Sequence, residues 1–289
     1  MFNRIAMWTA ALVLGLAVGC GGGGGESGGG APAAPAPTSA QKSTAQSAEQ
    51  AGGAVEQTAE FSTDAVVESG APGSTSSKTG QAGSSAPSGP INFQSTVTLI
   101  VDLDAPGGSG TDAHPNASGV FQVTATGTVT GDAMNGQASY AVDVQWLTNG
   151  TFTDPYCGAQ ATVTAGSRVT YVLTVQWAKI DALNWAIQAT YDVNGAGSGT
   201  VTNQGKTWDV TGTVVAHADA TFSRTAGTYA FTFGISGLRS IVLTSGAVTH
   251  TVTITTEALD RIFVDVDGVT FGPYTLAQII WWFGCNCRG

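Results

Sequence analysis

The sequence predicts an all-β fold, an antiparallel β-barrel or β-sandwich of about a dozen strands with a short C-terminal helix, preceded by a disordered tether. Three observations carry that expectation. From position 91 onward apolar and polar residues alternate with a period of two, segment after segment, which is the pattern of half-buried strands. Turn-forming clusters such as Asn149-Gly150, Asn194-Gly195 and Thr225-Ala226-Gly227 separate the segments. Residues 20–90, by contrast, are mostly Gly, Ala, Ser, Pro, Thr and Gln and hold too little apolar surface for a core.

The chain opens as an export signal. Met1 to Arg4 carries one positive charge, Ile5 to Val18 is a mainly apolar run of 14 residues, and small residues follow. A spanning helix needs roughly 20 apolar residues, so the run is too short for one. Its end, Ala17-Val18-Gly19-Cys20, resembles the lipobox of bacterial lipoproteins, with Ala17 where that pattern most often has Leu. The resemblance covers about 20 residues and implies that residues 1–19 are removed as a signal peptide and that Cys20 is lipidated. Two acyl chains on Cys20 would give a stable membrane anchor where one alone is marginal. By analogy with the sorting rule of some double-membrane bacteria, Gly21 after the cysteine implies an exported cell-envelope protein of the outer membrane, on its periplasmic face or at the cell surface.

Residues 20–90 then read as the tether. A Gly-rich chain of that length has an end-to-end distance of roughly 45 Å, enough to hold a domain clear of the bilayer. Ala, Gln and Glu between Gln46 and Val67 suit a helix, but Gly52-Gly53 interrupts the stretch and its apolar residues form no stripe, so disorder is the expectation.

Residues 91–289 form the predicted β-rich domain. Phe93, Val97, Leu99, Val101 and Leu103 share one strand face, and Phe121, Val123, Ala125, Gly127 and Val129 alternate with Gln122, Thr124, Thr126, Thr128 and Thr130. The longest run sets Trp208, Val210, Gly212, Val214, Ala216, Ala218, Ala220 and Phe222 against a polar face that includes Asp209, His217 and Asp219, with Gly212 the expected site of a bend. Aromatic pairs six residues apart, Tyr140 with Trp146, Tyr171 with Trp177 and Trp185 with Tyr191, read as the ends of a core or as the girdles of a membrane barrel. Thr275 and Gln278 are spaced as a capping box ahead of Ile279, Ile280, Trp281, Trp282 and Phe283, which predicts a short buried helix that plugs one end or covers a sheet edge.

Charge and motif content exclude more than they assign. The formal charge is −10 with only 10% charged residues, and Arg168, Lys179, Lys206, Arg224, Arg239, Arg261 and Arg288 are scattered singly, which disfavours nucleic acid as a partner. No nucleophile elbow, P-loop or zincin motif is present, and no cofactor is implied. Asp102, Asp104, Asp112, His114 and Asn116, and separately Asp265 and Asp267, crowd oxygen ligands near turns without an EF-hand spacing. With Cys20 lipidated, three cysteines remain in a compartment that permits disulfides, and the favoured bridge joins Cys157 to Cys285 or Cys287. The expected function is therefore a lipid-anchored envelope protein displaying a β-rich binding or structural module for an envelope ligand or protein, with a membrane-inserted β-barrel and a glycan-acting envelope enzyme as alternatives.

Overall fold

The computed structural model describes residues 36–68, 91–104, 116–132, 134–153 and 158–279. A 30-residue helix, α1 (Ser39–Glu68), precedes thirteen strands. These are β1 (Ile91–Asp102), β2 (Ala117–Ser118), β3 (Val120–Gly131), β4 (Asn135–Trp146), β5 (Gly150–Thr153), β6 (Gln160–Val163) and β7 (Arg168–Lys179), then β8 (Trp185–Asn203), β9 (Lys206–Thr225), β10 (Thr228–Ser245), β11 (Val248–Ala258), β12 (Arg261–Val266) and β13 (Val269–Tyr274).

Every strand pairing is antiparallel and all thirteen strands lie in one sheet, ordered β1-β3-β4-β7-β8-β9-β10-β11-β12-β13. The all-β antiparallel expectation holds. Closure does not: β1 and β13 stand at opposite ends of the strand order, and the sheet is open rather than a barrel. Its outer edge forks at β8, whose first half pairs with β7 up to Ala196 and whose second half pairs with β6 from Gly199. At the fork a Cβ on Gly199 would lie 1.8 Å from the Thr162 carbonyl oxygen, so only glycine permits that approach. Gly212 does not interrupt β9, whose register continues through it on both sides.

The main correction concerns the tether, because Ser39–Glu68 within it is helical and packs into the concave face of the sheet. α1 contacts β1, β3, β4 and each of β6 to β12. Thr38 caps it: the Gln41 side chain accepts from the Thr38 amide at 2.9 Å and the Thr38 hydroxyl accepts from the Gln41 amide at 3.3 Å. The faces that enter the sheet are small, with Ala45, Ala48, Gly52, Ala54, Thr58, Ser62 and Ala65 all buried. Small side chains let a helix enclosed on several sides approach the sheet closely, which an amphipathic stripe of large residues would prevent.

Polar contacts fix where the helix sits. The Tyr171 hydroxyl is 3.1 Å from the Ser62 hydroxyl and 2.8 Å from that of Thr63. The Asn203 side chain reaches the Ser47 hydroxyl at 3.5 Å, at the opposite end of β8. Arg239 of β10 forms an ion pair with Glu49. Phe61 stacks on Phe152, with ring centroids 6.0 Å apart, and Phe152 meets Trp146 edge-on.

The expected C-terminal helix begins as read: residues 276–279 are helical, the Thr275 amide donates to the Gln278 side chain at 2.8 Å, and the Gln278 amide donates to the Thr275 hydroxyl at 3.2 Å. Ile279 is buried in the core cluster, and Ile280 to Phe283 lie outside the described residues.

Two substitutions test the helix seam. Tyr171→Phe should destabilise by about 0.5–1.5 kcal/mol, because it removes the hydroxyl that meets the buried Ser62 and the half-buried Thr63 hydroxyls. Gly53→Ala, where a Cβ meets nothing within 4 Å, should stabilise by about 0.5–1 kcal/mol through helix propensity. Urea unfolding followed by circular dichroism measures both, and a neutral result at each position would remove α1 from the cooperative unit.

Candidate functional site

The residues with catalytic or metal-binding potential are spread over the outer face and the turns. His217 does not engage Asp219; its Nδ1 lies 2.6 Å from Asp192 Oδ1 on the neighbouring strand, in an exposed pair. Asp219 instead lies against Gly234, the residue across from it on β10. His250 Nδ1 is 2.6 Å from Asp267 Oδ2, and the Thr251 amide donates to Asp267 Oδ1 at 2.8 Å. Burial pushes the Asp267 carboxyl up, but these two hydrogen bonds and the imidazole charge outweigh it and hold it below the usual carboxylate value.

The acidic turns are internally satisfied. Asp265 accepts from the Gly268 amide and the Thr270 hydroxyl, both at 2.8 Å. Asp102 accepts from the Asp104 amide, and Asp104 from the Gly119 amide, both at 3.0 Å. Asn116 is the first residue described after the loop, while Asp112 and His114 lie outside the described residues. Among the described residues no three His, Cys, Asp or Glu side chains converge. Cys20, Cys157, Cys285 and Cys287 all lie outside the described residues, so neither the lipidation site nor the disulfide has a structural account.

Two concave features remain. Between α1 and the sheet, a cavity of about 50 Å³ is lined by Ala51, Gly52, Thr58, Gly197, Gly212 and Ile241 among others. That volume suits water rather than an organic ligand. The larger feature is the concave face beyond α1.

Cross-strand pairing places one row of Ser95, Gly127, Tyr140, Leu173, Tyr191, Ala218 and Ile235 beside the Tyr171 row that Ser62 and Thr63 contact. Three further rows continue towards one end of the sheet. They are Phe93, Val129, Ala138, Val175, Ala189, Ala220 and Phe233; then Gly131, Gly136, Trp177, Ile187, Phe222 and Phe231; and last Lys179, Trp185, Arg224 and Tyr229. At ~3.4 Å per residue the distance from the Tyr140 row to the Trp185 row is about 20 Å.

This trough is apolar, buried along Tyr191, Ala218 and Ala220 and exposed at its flanks. Phe93 is 44% exposed, Tyr229 59% and Phe231 62%. The rings organise one another: Trp185 lies edge-on to Phe222 at 5.1 Å and to Tyr229 at 6.2 Å, and Phe222 stacks on Tyr229 at 5.9 Å. Trp177 folds over Gly136, where a Cβ would sit 2.2 Å from its ring, and its indole nitrogen donates to the Asp132 carbonyl at 2.9 Å. One side of the trough lacks a neighbour, since β11 pairs β10 only from Gly237 onward and leaves Thr228–Ser236 paired with β9 alone. At the top of the trough the Tyr140 hydroxyl is buried with no hydrogen-bond partner among the described residues. Burial, with Tyr171 alongside, pushes its phenol well above the ordinary tyrosine value.

The aromatic pairs suggest in sequence either the ends of a core or the girdles of a membrane barrel. In the structure Trp146, Tyr171 and Tyr191 are buried, and their partners Tyr140, Trp177 and Trp185 are half-buried along the trough.

Because the fold keeps Tyr140 protonated where the unfolded chain ionises, its contribution is complete below pH 10.0 and is lost as pH rises beyond that value. Tyr140→Phe should therefore flatten the alkaline fall in stability measured by urea titration above about pH 10. At neutral pH it should leave stability unchanged or raise it by up to about 1 kcal/mol, since the lost hydroxyl has no partner.

No family model, curated protein or solved structure matches this chain.

Proposed function

We propose that this is an exported, lipid-anchored protein of the cell envelope, tethered at Cys20, whose sheet is a non-enzymatic binding module that takes an apolar ligand in the open trough. The observation that carries the binding reading is the set of apolar rows with exposed Phe93, Phe222 and Phe231, next to an exposed Tyr229 in the last row. A contiguous apolar face of that kind on an otherwise hydroxylated protein marks a site of association. The signal segment and the lipobox-like Ala17 to Cys20 support the address.

The two alternatives have less support. A membrane barrel needs a closed sheet so that no edge backbone meets lipid, whereas this sheet is open and a polar helix fills part of its concave face. A glycan-acting enzyme needs two carboxylates facing each other across a cleft, whereas Asp102, Asp104 and Asp265 are held in turns and Asp192 and Asp267 pair with histidines.

Two experiments test the proposal. In cells, radiolabelled palmitate should be incorporated by the full chain and not by Cys20→Ser; equal labelling would refute the anchor. The chain from residue 20, produced as Cys20→Ser without detergent, should raise the fluorescence of N-phenyl-1-naphthylamine. Phe231→Glu should weaken that binding by about tenfold while changing stability little, because the ring is exposed. Absence of probe binding would refute the trough as a ligand site.

A further inference from the structure

We infer that the trough takes a single long acyl chain bearing an anionic headgroup, with the headgroup held by Lys179 and Arg224. This rests on the trough being a ligand site and adds the chemistry of its occupant. The chain is acidic, and basic side chains are scarce, yet two of them fall in the last row of the trough, where Lys179 pairs across from Trp185 and Arg224 lies between Trp185 and Tyr229.

Their pairing state differs from that of the other arginines described in the sheet. Arg168 is bridged to Asp143, Arg239 to Glu49 and Arg261 to Glu257. Neither Lys179 nor Arg224 forms an ion pair with a described carboxylate. Arg224 donates to the Ala182 carbonyl at 3.0 Å and lies over the Tyr229 ring at 5.1 Å, which fixes its guanidinium at the rim. The carboxylates at this end are occupied by turns: Asp132 accepts from the Met134 and Asn135 amides, and Asp181 from the Leu183 and Asn184 amides.

Dimensions agree with the charge. The rows between Tyr140 and Trp185 extend about 20 Å, the length of an extended long acyl chain, and end at the two cations. Aromatic and aliphatic side chains line the path, while Gly127, Gly131, Ala138, Ala189 and Ala220 add little height to its floor. A carboxylate or phosphate at the end of the chain satisfies the same two groups, so a free fatty acid and a phospholipid share this chemistry.

The test uses the chain from residue 20 as Cys20→Ser and the fluorescent fatty acid cis-parinaric acid, compared with its uncharged methyl ester. The acid should bind about tenfold tighter than the ester, and the Lys179→Gln/Arg224→Gln double variant should erase the difference while still binding the ester, so that a folding defect is excluded. Competition by lysophosphatidic acid but not by inorganic phosphate would assign a phospholipid; competition by oleate alone would assign a free fatty acid. Equal affinity for acid and ester would overturn the headgroup assignment and leave an apolar trough. No binding of either probe would remove the trough reading itself. A native mass showing a dimer that excludes both probes, or binding that appears only when residues 280–289 are deleted, would overturn the proposal in favour of a second copy or the chain's own C-terminus as occupant.

Discussion

The polar seam between α1 and the sheet, formed by Ser62 and Thr63 on Tyr171, Ser47 on Asn203 and Glu49 on Arg239, is what the rest of the structure depends on. A single open sheet has two faces, and only one can be given to water. The concave one must be covered by something outside the sheet. α1 does so with Ala, Gly, Ser and Thr, whose small volume permits close approach but provides little directional preference. Hydrophobic burial alone would leave such a helix free to slide or rotate. The hydrogen bonds and the ion pair supply the missing register, because a buried hydroxyl stranded without its partner carries the full desolvation penalty of that group.

The same division explains the surface. Only 10% of the residues are charged, and the outer face is built instead from hydroxyl ladders: Thr96 meets Thr126 at 3.0 Å, and Thr162 meets Thr200 at 2.8 Å. Cross-strand threonine pairs of this kind stabilise a sheet while keeping its solvent face polar. Against that background the aromatic trough is a local exception.

The strands were legible because period-two alternation is a direct consequence of one wet and one dry face, and β3, β7 and β9 show it cleanly. The helix was not, for a physical reason. Sequence reading looks for a stripe of large apolar residues against one flat neighbour, whereas a helix lying in a concave face is flanked on several sides and needs small residues at many positions. Gly52-Gly53, which suggests a break, is where a Cβ added to Gly52 would meet the Arg239 and Ile241 side chains at 3.4 and 3.5 Å. A usable signal did exist: Thr38 and Gln41 have the same spacing as Thr275 and Gln278, the pair that located the C-terminal helix. Closure of the sheet was illegible because no local pattern records which two strands are the last. The trough's exposure depends on where α1 and β11 stop, which is likewise a matter of tertiary geometry.

The position of α1 in the chain has a consequence for the order in which the molecule assembles. Ser62 finds Tyr171 across 109 residues, and Glu49 finds Arg239 across 190. Loop closure over such separations is slow, and a helix without an apolar stripe has little stability before its groove exists. The first of the described elements to be synthesised is therefore the last to be fixed, and its groove is incomplete until β10 has been added. In the proposed setting of an exported chain, that delay would keep α1 unfolded throughout its passage.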